Sequence, residues 1–290
     1  MYYVSYIFIN LLNTNNLLKL SFMKKFFTFI FIFISFIQIF ASEKNTLEFV
    51  GQTVNVSGPI TGDWLKEGAV TYDKENATLT LTDAKIETTK RGIRIWNADN
   101  FLIKIEGSCE LNCINAYGLV IGQGGNATIT GNTGTFILGG KQSKAGILLG
   151  KNCTLTIKDC SLEVNGLDGV CGYDGMSSEV LSVDNSNFTV QSFGKGYAYG
   201  AIYDLALFEL KNTKLVSPQD VVCKTGRVED SEGNKFNGKI VFKAEKSAIN
   251  PITFIFDVSH DIFDLQGRKV YRLIPGHVYI KDGVKFINHQ

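Results

Sequence analysis

Six stretches decide the fold: TLTLTDAKIE (78–87), LIKIEGSCEL (102–111), ATITGNTGTFIL (127–138), LTIKDCSLEV (155–164), LSVDNSNFTV (181–190) and FELKNTKLV (208–216). Apolar and polar residues alternate in each, the pattern of a strand with one face packed and the other in water. The second apolar residue of each serves as an anchor: Leu81, Ile105, Ile129, Ile157, Val183 and Leu210, at steps of 24, 24, 28, 26 and 27. Two residues beyond each anchor stand Asp83, Gly107, Gly131, Asp159, Asn185 and Asn212. All six belong to the small set that enters left-handed or tight-turn backbone at low cost.

A second register runs alongside the first. Short apolar runs follow glycine at Gly92-Ile-Arg-Ile, Gly118-Leu-Val-Ile, Gly146-Ile-Leu-Leu and Gly169-Val-Cys, with a looser copy at Gly200-Ala-Ile-Tyr. Each repeat therefore holds a strand, a corner, a second strand, a loop and a third short strand. No helical period lies between them. Three short strands per repeat of roughly 26 residues describe an all-β chain, wound as a right-handed parallel β-helix of about six coils with a small C-terminal β segment. An antiparallel sandwich also uses short alternating strands, but recurrence of one corner at similar steps favours the solenoid. Proline agrees: Pro59, Pro218, Pro251 and Pro275 leave none between 60 and 217. An inner coil needs its N–H groups for the ladder, and proline has none to give.

Outside the repeats, composition divides the chain. Residues 1–22 read as an upstream extension. Met23-Lys24-Lys25, the apolar run FFTFIFIFISFIQIF (26–40) and Ala41 have the plan of a secretory signal peptide over 23–41. The apolar run is short for a spanning helix, so membrane contact is expected only through an uncleaved leader. Residues 42–75 are expected to cap the first coil, with Trp64 and Val70-Thr71-Tyr72 as packing elements, because an open rung exposes a pairing edge. The solenoid then occupies 76–219, a cap or linker 220–261 and a β tail 262–290. Export permits disulfides, yet Cys109, Cys113, Cys153, Cys160, Cys171 and Cys223 form no CxxC pair and read as small buried apolar residues. A formal charge of +1 supplies no basic field for nucleic acid.

Gly68-Ala-Val-Thr-Tyr-Asp followed by Asn76-Ala-Thr-Leu-Thr-Leu-Thr-Asp-Ala-Lys-Ile resembles the opening of secreted β-helix proteins common in Bacteroidetes, often described as carbohydrate-binding-domain or pectin-lyase-like proteins. The resemblance spans about residues 50–216. At the other end, Ile262-Phe-Asp-Leu-Gln-Gly-Arg-Lys-Val and Pro275-Gly-His-Val-Tyr-Ile-Lys-Asp-Gly-Val-Lys are similar to tails on many exported proteins of that phylum. In some relatives such tails are sorting signals for an outer-membrane secretion route. Here His277 stands between the glycine and the aromatic strand, and the chain ends Asn288-His289-Gln290 rather than in basic residues. The resemblance implies a secreted or outer-surface protein of a Gram-negative cell.

Histidine limits the chemistry. His260, His277 and His289 all lie in the C-terminal segment, so the repeats hold no imidazole base and no histidine metal ligand. No GxSxG, HExxH or EF-hand spacing occurs, and no cofactor is expected. Polysaccharide lyases and hydrolases of the resembling class need convergent acids with a basic or acidic partner. Asp159, Glu163, Asp168, Asp174 and Asp184 are scattered, with Asp168 and Asp174 the only weak calcium candidates. Around the third-strand glycine stand Arg91, Tyr117, Ala145, Asp168 and Tyr199, with Trp96, Tyr173, Tyr197 and Tyr203 nearby. Trp96, Tyr117, Tyr173, Tyr197 and Tyr199 are the candidate ligand contacts, since sugar rings lay their C–H faces on aromatic rings. The expectation is a non-catalytic protein binding a polysaccharide or cell-surface glycan. A lyase or hydrolase, and a purely structural surface protein, are the alternatives.

Overall fold

A computed structural model describes residues 44–122, 124–132, 134–173, 178–245, 262–270, 274–281 and 284–287. The leader at 23–41, Asp174 and His289 lie outside the described residues. The chain divides into two compact units, Met1–Glu245 and Lys246–Gln290.

The first unit is a parallel β-solenoid of about five turns, with no helix among the described residues. Its first ladder stacks Thr78–Thr88, Phe101–Glu106, Asn126–Thr130, Thr154–Lys158, Val180–Asp184 and Leu207–Lys211. The second stacks Ser108–Cys113, Thr135–Gly139, Ser161–Gly166 and Asn187–Ser192 above the far half of Thr78–Thr88. The third stacks Ile93–Trp96, Tyr117–Ile121, Ala145–Leu149, Asp168–Gly172 and Ile202–Tyr203. Period-2 alternation sends one set of side chains inward as columns. Leu79, Ile103, Ile129, Ile157 and Val183 form one such column, all with no exposed surface. Burial of each aliphatic side chain is worth about 1.5–3 kcal/mol.

That column differs from the sequence anchors. The departure is at one step: Ile129 pairs with Ile103 rather than Ile105, while the anchors Leu81 and Ile105 pair with each other and the later anchors stay in register. The first two coils run two residues further before their left-handed corners at Asp83 (φ 45°) and Gly107 (φ 72°). In the third coil Gly131 sits over Ile105, where an added Cβ would lie 2.5 Å from the Ile105 carbonyl oxygen. The chain turns there through Gly131–Gly134, the Gly134 N–H donating to the Gly131 carbonyl at 2.7 Å. Asp159, Asn185 and Asn212 adopt the left-handed backbone expected of them (φ 50°, 44° and 48°). Two of these corners are tied by side chains: Asn185 Nδ2 donates to Asp159 Oδ1 at 2.7 Å, and Asn212 Nδ2 to Asp184 Oδ1 at 2.9 Å.

The sixth coil does not close. Leu207–Lys211 stacks on the fifth coil, but Lys239–Ala244 pairs antiparallel with Asn187–Ser192 and displaces Thr213–Ser217 outward. The inserted strand covers the last rung with Phe242, whose ring stacks on Phe188 (5.8 Å) and meets Phe208 edge-on (5.6 Å). At the opposite end Leu65–Asp73 runs antiparallel along Thr78–Thr88, burying Val70 and Tyr72. Thr46–Phe49 pairs antiparallel with Ile93–Trp96, and Phe49 packs edge-on against Trp64 at 5.2 Å. Pro59 lies on the marginal strand Gly58–Pro59, where a missing N–H costs little.

All six cysteines are free thiols, five of them buried. Burial pushes the Cys113 and Cys171 thiols up to about 12 and Cys160 to about 11. The thiolate is the reactive form, so a maleimide should label native protein at Cys223 first and reach the others only on unfolding. Mass spectrometry checks this; rapid native labelling at several thiols would contradict the buried placement.

The second unit carries an antiparallel sheet in the order Lys269–Val270, Ile262–Asp264, Val278–Lys281, Val284–Ile287. Asp264 closes its first turn, accepting the Gln266 and Arg268 N–H groups, each at 2.9 Å, and Arg268 Nε at 2.7 Å. Those donors hold its carboxyl below the usual range.

Candidate functional site

The outer face of the third ladder is built by the residues between its inward columns. Arg94, Val120, Leu148, Cys171 and Tyr203 follow one another in register, with Tyr117, Ala145 and Asp168 in the adjoining column. The middle of this face is apolar although it points outward. The cause is visible in Leu119-Val-Ile and Ile147-Leu-Leu, where alternation is lost and the outward position is aliphatic as well.

A groove of about 400 Å³ opens on this face, floored by Val120 and Leu148 and walled by Tyr117 and Tyr173. Arg91, Arg94 and Lys151 supply its cations, and Gly122 and Gly150 let the backbone line it directly. Glu48, brought opposite Arg94 by the capping strand, pairs with Arg91 Nη1 at 3.1 Å and Arg94 Nη1 at 3.5 Å. The Arg94 guanidinium also lies 4.6 Å from the Trp96 ring, which fixes its plane. Lys144 Nζ stands 6.0 Å from the Tyr117 ring. Among the described lining residues there is no aspartate or glutamate.

The five aromatic candidates thus have different placements. Tyr117 and Tyr173 share the groove, Tyr173 being 60% exposed. Trp96 supports it through Arg94. Tyr197 is 86% exposed outside the groove lining, and Tyr199 lies against Gly194. Tyr199 does not join the Asp168 column, because Val170 pairs with Ile202 and the register there is one residue later than the glycine alignment indicates. Ala201, not Gly200, occupies the fifth place in the glycine column. Among the described residues no third-ladder strand continues beyond it, and its N–H donates to the Phe236 carbonyl of the cap at 2.8 Å.

Asp168 is engaged within the fold. It accepts the Gly200 N–H at 3.1 Å and a hydrogen bond from the Tyr203 hydroxyl, while burial holds its carboxyl above the usual range. Lys235 Nζ lies 3.9 Å from the Tyr203 ring and donates to the Ala198 carbonyl at 2.8 Å. Asp168 therefore anchors the turn into Ile202–Tyr203. Among the described residues no group of three or more His, Cys, Asp or Glu is placed to hold a metal ion.

Sequence reasoning missed Val120, Leu148 and Lys151. The lost alternation marked the first two; nothing local marked Lys151, which reaches the groove from the loop after the third-ladder strand. Fold and groove together define a β-solenoid with an apolar-floored, cation-rimmed concavity on one ladder. Comparison of the chain with protein-family models, with curated proteins and with solved structures gives no match.

Proposed function

We propose that this protein is an exported glycan-binding adhesin that acts without catalysis, using the outer face of its third ladder. The groove carries the reading: aromatic walls at Tyr117 and Tyr173 suit the C–H faces of sugar rings, and Arg91, Arg94 and Lys151 suit their hydroxyl or carboxylate substituents. A rigid ladder displays these groups at about 4.8 Å intervals, so affinity is gathered from several weak contacts. The leader and the resemblance of residues 50–216 and of the C-terminal tail to secreted Bacteroidetes β-helix proteins support an outer-surface location in a Gram-negative cell.

A glycan array probed with the chain from Ser42 onward tests the reading, alongside a depolymerisation assay on pectate and polygalacturonate. Binding without cleavage is expected. Release of oligosaccharides would overturn the non-catalytic part, and failure to bind any glycan would favour a purely structural rod. Tyr117→Ala should weaken binding of the captured glycan about tenfold, the loss of one aromatic platform. Arg94→Gln should weaken charged glycans more than neutral ones and flatten the salt dependence. Isothermal titration at low and high salt reads both effects.

A further inference from the structure

The outer face of the second ladder carries a separate groove of about 410 Å³. Register assembles it. Glu110, Ile137 and Glu163 form one outward column. Gly139 and Asn165 pair in the neighbouring column, and Asn112 follows Leu111 one coil below. Gly139 has left-handed backbone (φ 81°), and a Cβ there would run into the Asn165 carbonyl. Glycine at this position lets the backbones of adjacent coils approach closely beneath the groove. Asn112 lies over Gly140, where a Cβ would again have no room. Gln142 and Phe193 complete the wall, with Lys141 Nζ 5.7 Å from the Phe193 ring.

The chemistry of this groove differs from that of the third ladder. Its donors and acceptors are mostly amides, its apolar surface is one aromatic ring and the half-exposed Ile137, and its carboxylates outnumber its single lysine. Asn165 Nδ2 donates to Glu163 Oε1 at 2.9 Å, which fixes that carboxylate as an acceptor. Glu110 and Glu163 stand two coils apart, about 10 Å along the stack, too far to enclose one cation. Two carboxylates disfavour an anionic ligand, while amides that give and accept hydrogen bonds suit hydroxyl groups.

We infer that this groove is a second binding site, for a neutral oligosaccharide whose ring stacks on Phe193 and whose hydroxyls bond Asn112, Gln142 and Glu163. The inference does not depend on the third-ladder groove, and the two faces would let one rod hold two chemically different glycans.

Titration of the chain from Ser42 onward with neutral gluco-, galacto-, manno- and xylo-tetrasaccharides tests it. At least one should bind with an affinity insensitive to salt. Gln142→Ala and Phe193→Ala should each reduce that affinity about tenfold, and Tyr117→Ala should leave it unchanged. Gln142 is exposed, so its variant keeps the fold if Phe193→Ala does not; circular dichroism verifies this. No binding by any neutral tetrasaccharide, loss of binding in Tyr117→Ala, or appearance of new reducing ends would each overturn the proposal. Charged-glycan binding lost in Tyr117→Ala reports on the third-ladder groove alone, so the two readings fail separately.

Discussion

Replacing Gly118 with valine is expected to destabilise the solenoid by about 3 kcal/mol or more, lowering Tm by roughly 6–12 °C. Gly118 stands where the second ladder turns into the third, directly beneath the next coil. A Cβ at this position would lie 2.5 Å from the Gly146 carbonyl oxygen and 3.1 Å from Leu138 Cδ1. The same relation repeats one coil earlier, where a Cβ on Gly92 would lie 2.6 Å from the Gly118 carbonyl oxygen. The obstacle is backbone, so no side-chain rotation relieves it, and coils spaced about 4.8 Å apart must separate locally. Gly124→Ala is the control. Its backbone, unlike that of Gly118, is left-handed (φ 71°), but nothing lies within 4 Å of the added Cβ, and only the roughly 1–2 kcal/mol conformational penalty applies. Thermal unfolding followed by circular dichroism compares them; equal losses in the two variants would contradict the stacking argument.

Phe242→Ala is expected to cost about 3–5 kcal/mol, a Tm decrease of roughly 6–20 °C, and to leave the protein prone to self-association. Phe242 ends the buried column formed by Cys109, Phe136, Leu162 and Phe188 and contacts Phe208 of the last first-ladder strand. It has no exposed surface. Truncation removes the packing that holds Lys239–Ala244 against Asn187–Ser192, and an uncovered strand edge pairs with whatever meets it. Size-exclusion chromatography after mild heating should show oligomers for this variant and a single species for the parent. A Tm within a few degrees of the parent would mean that the inserted strand is not what closes the stack.

The two sites have unequal visibility in the sequence. Tyr117 and Tyr173 could be picked out as aromatic residues near a repeating glycine, and they do share a groove. Tyr197 and Tyr199 carried the same local signal and do not line it, because the segment between the fifth-coil strands Asn187–Ser192 and Ile202–Tyr203 carries them elsewhere. The second-ladder groove had no signal of its own. Glu110, Asn112 and Glu163 are ordinary solvent-side residues of alternating strands, and Asn165 a polar residue that the fold buries, until register sets them side by side.

By itself, the sequence determined the strand faces of the first two ladders, the corners and the class of fold. Alternation with period 2 states which residues turn inward, and Asp, Asn or Gly marks where the backbone must turn. Both are local properties, fixed within a few residues. Only the tertiary structure decided which rung lies on which: Ile129 over Ile103, Ile202 over Val170, and an inserted antiparallel strand where a sixth coil would have closed. Lateral pairing joins residues a full coil apart, and a corner lengthened in one coil can be offset by a shorter strand in the next without changing the apparent repeat. The composition of each outer face, and with it each groove, follows from that pairing.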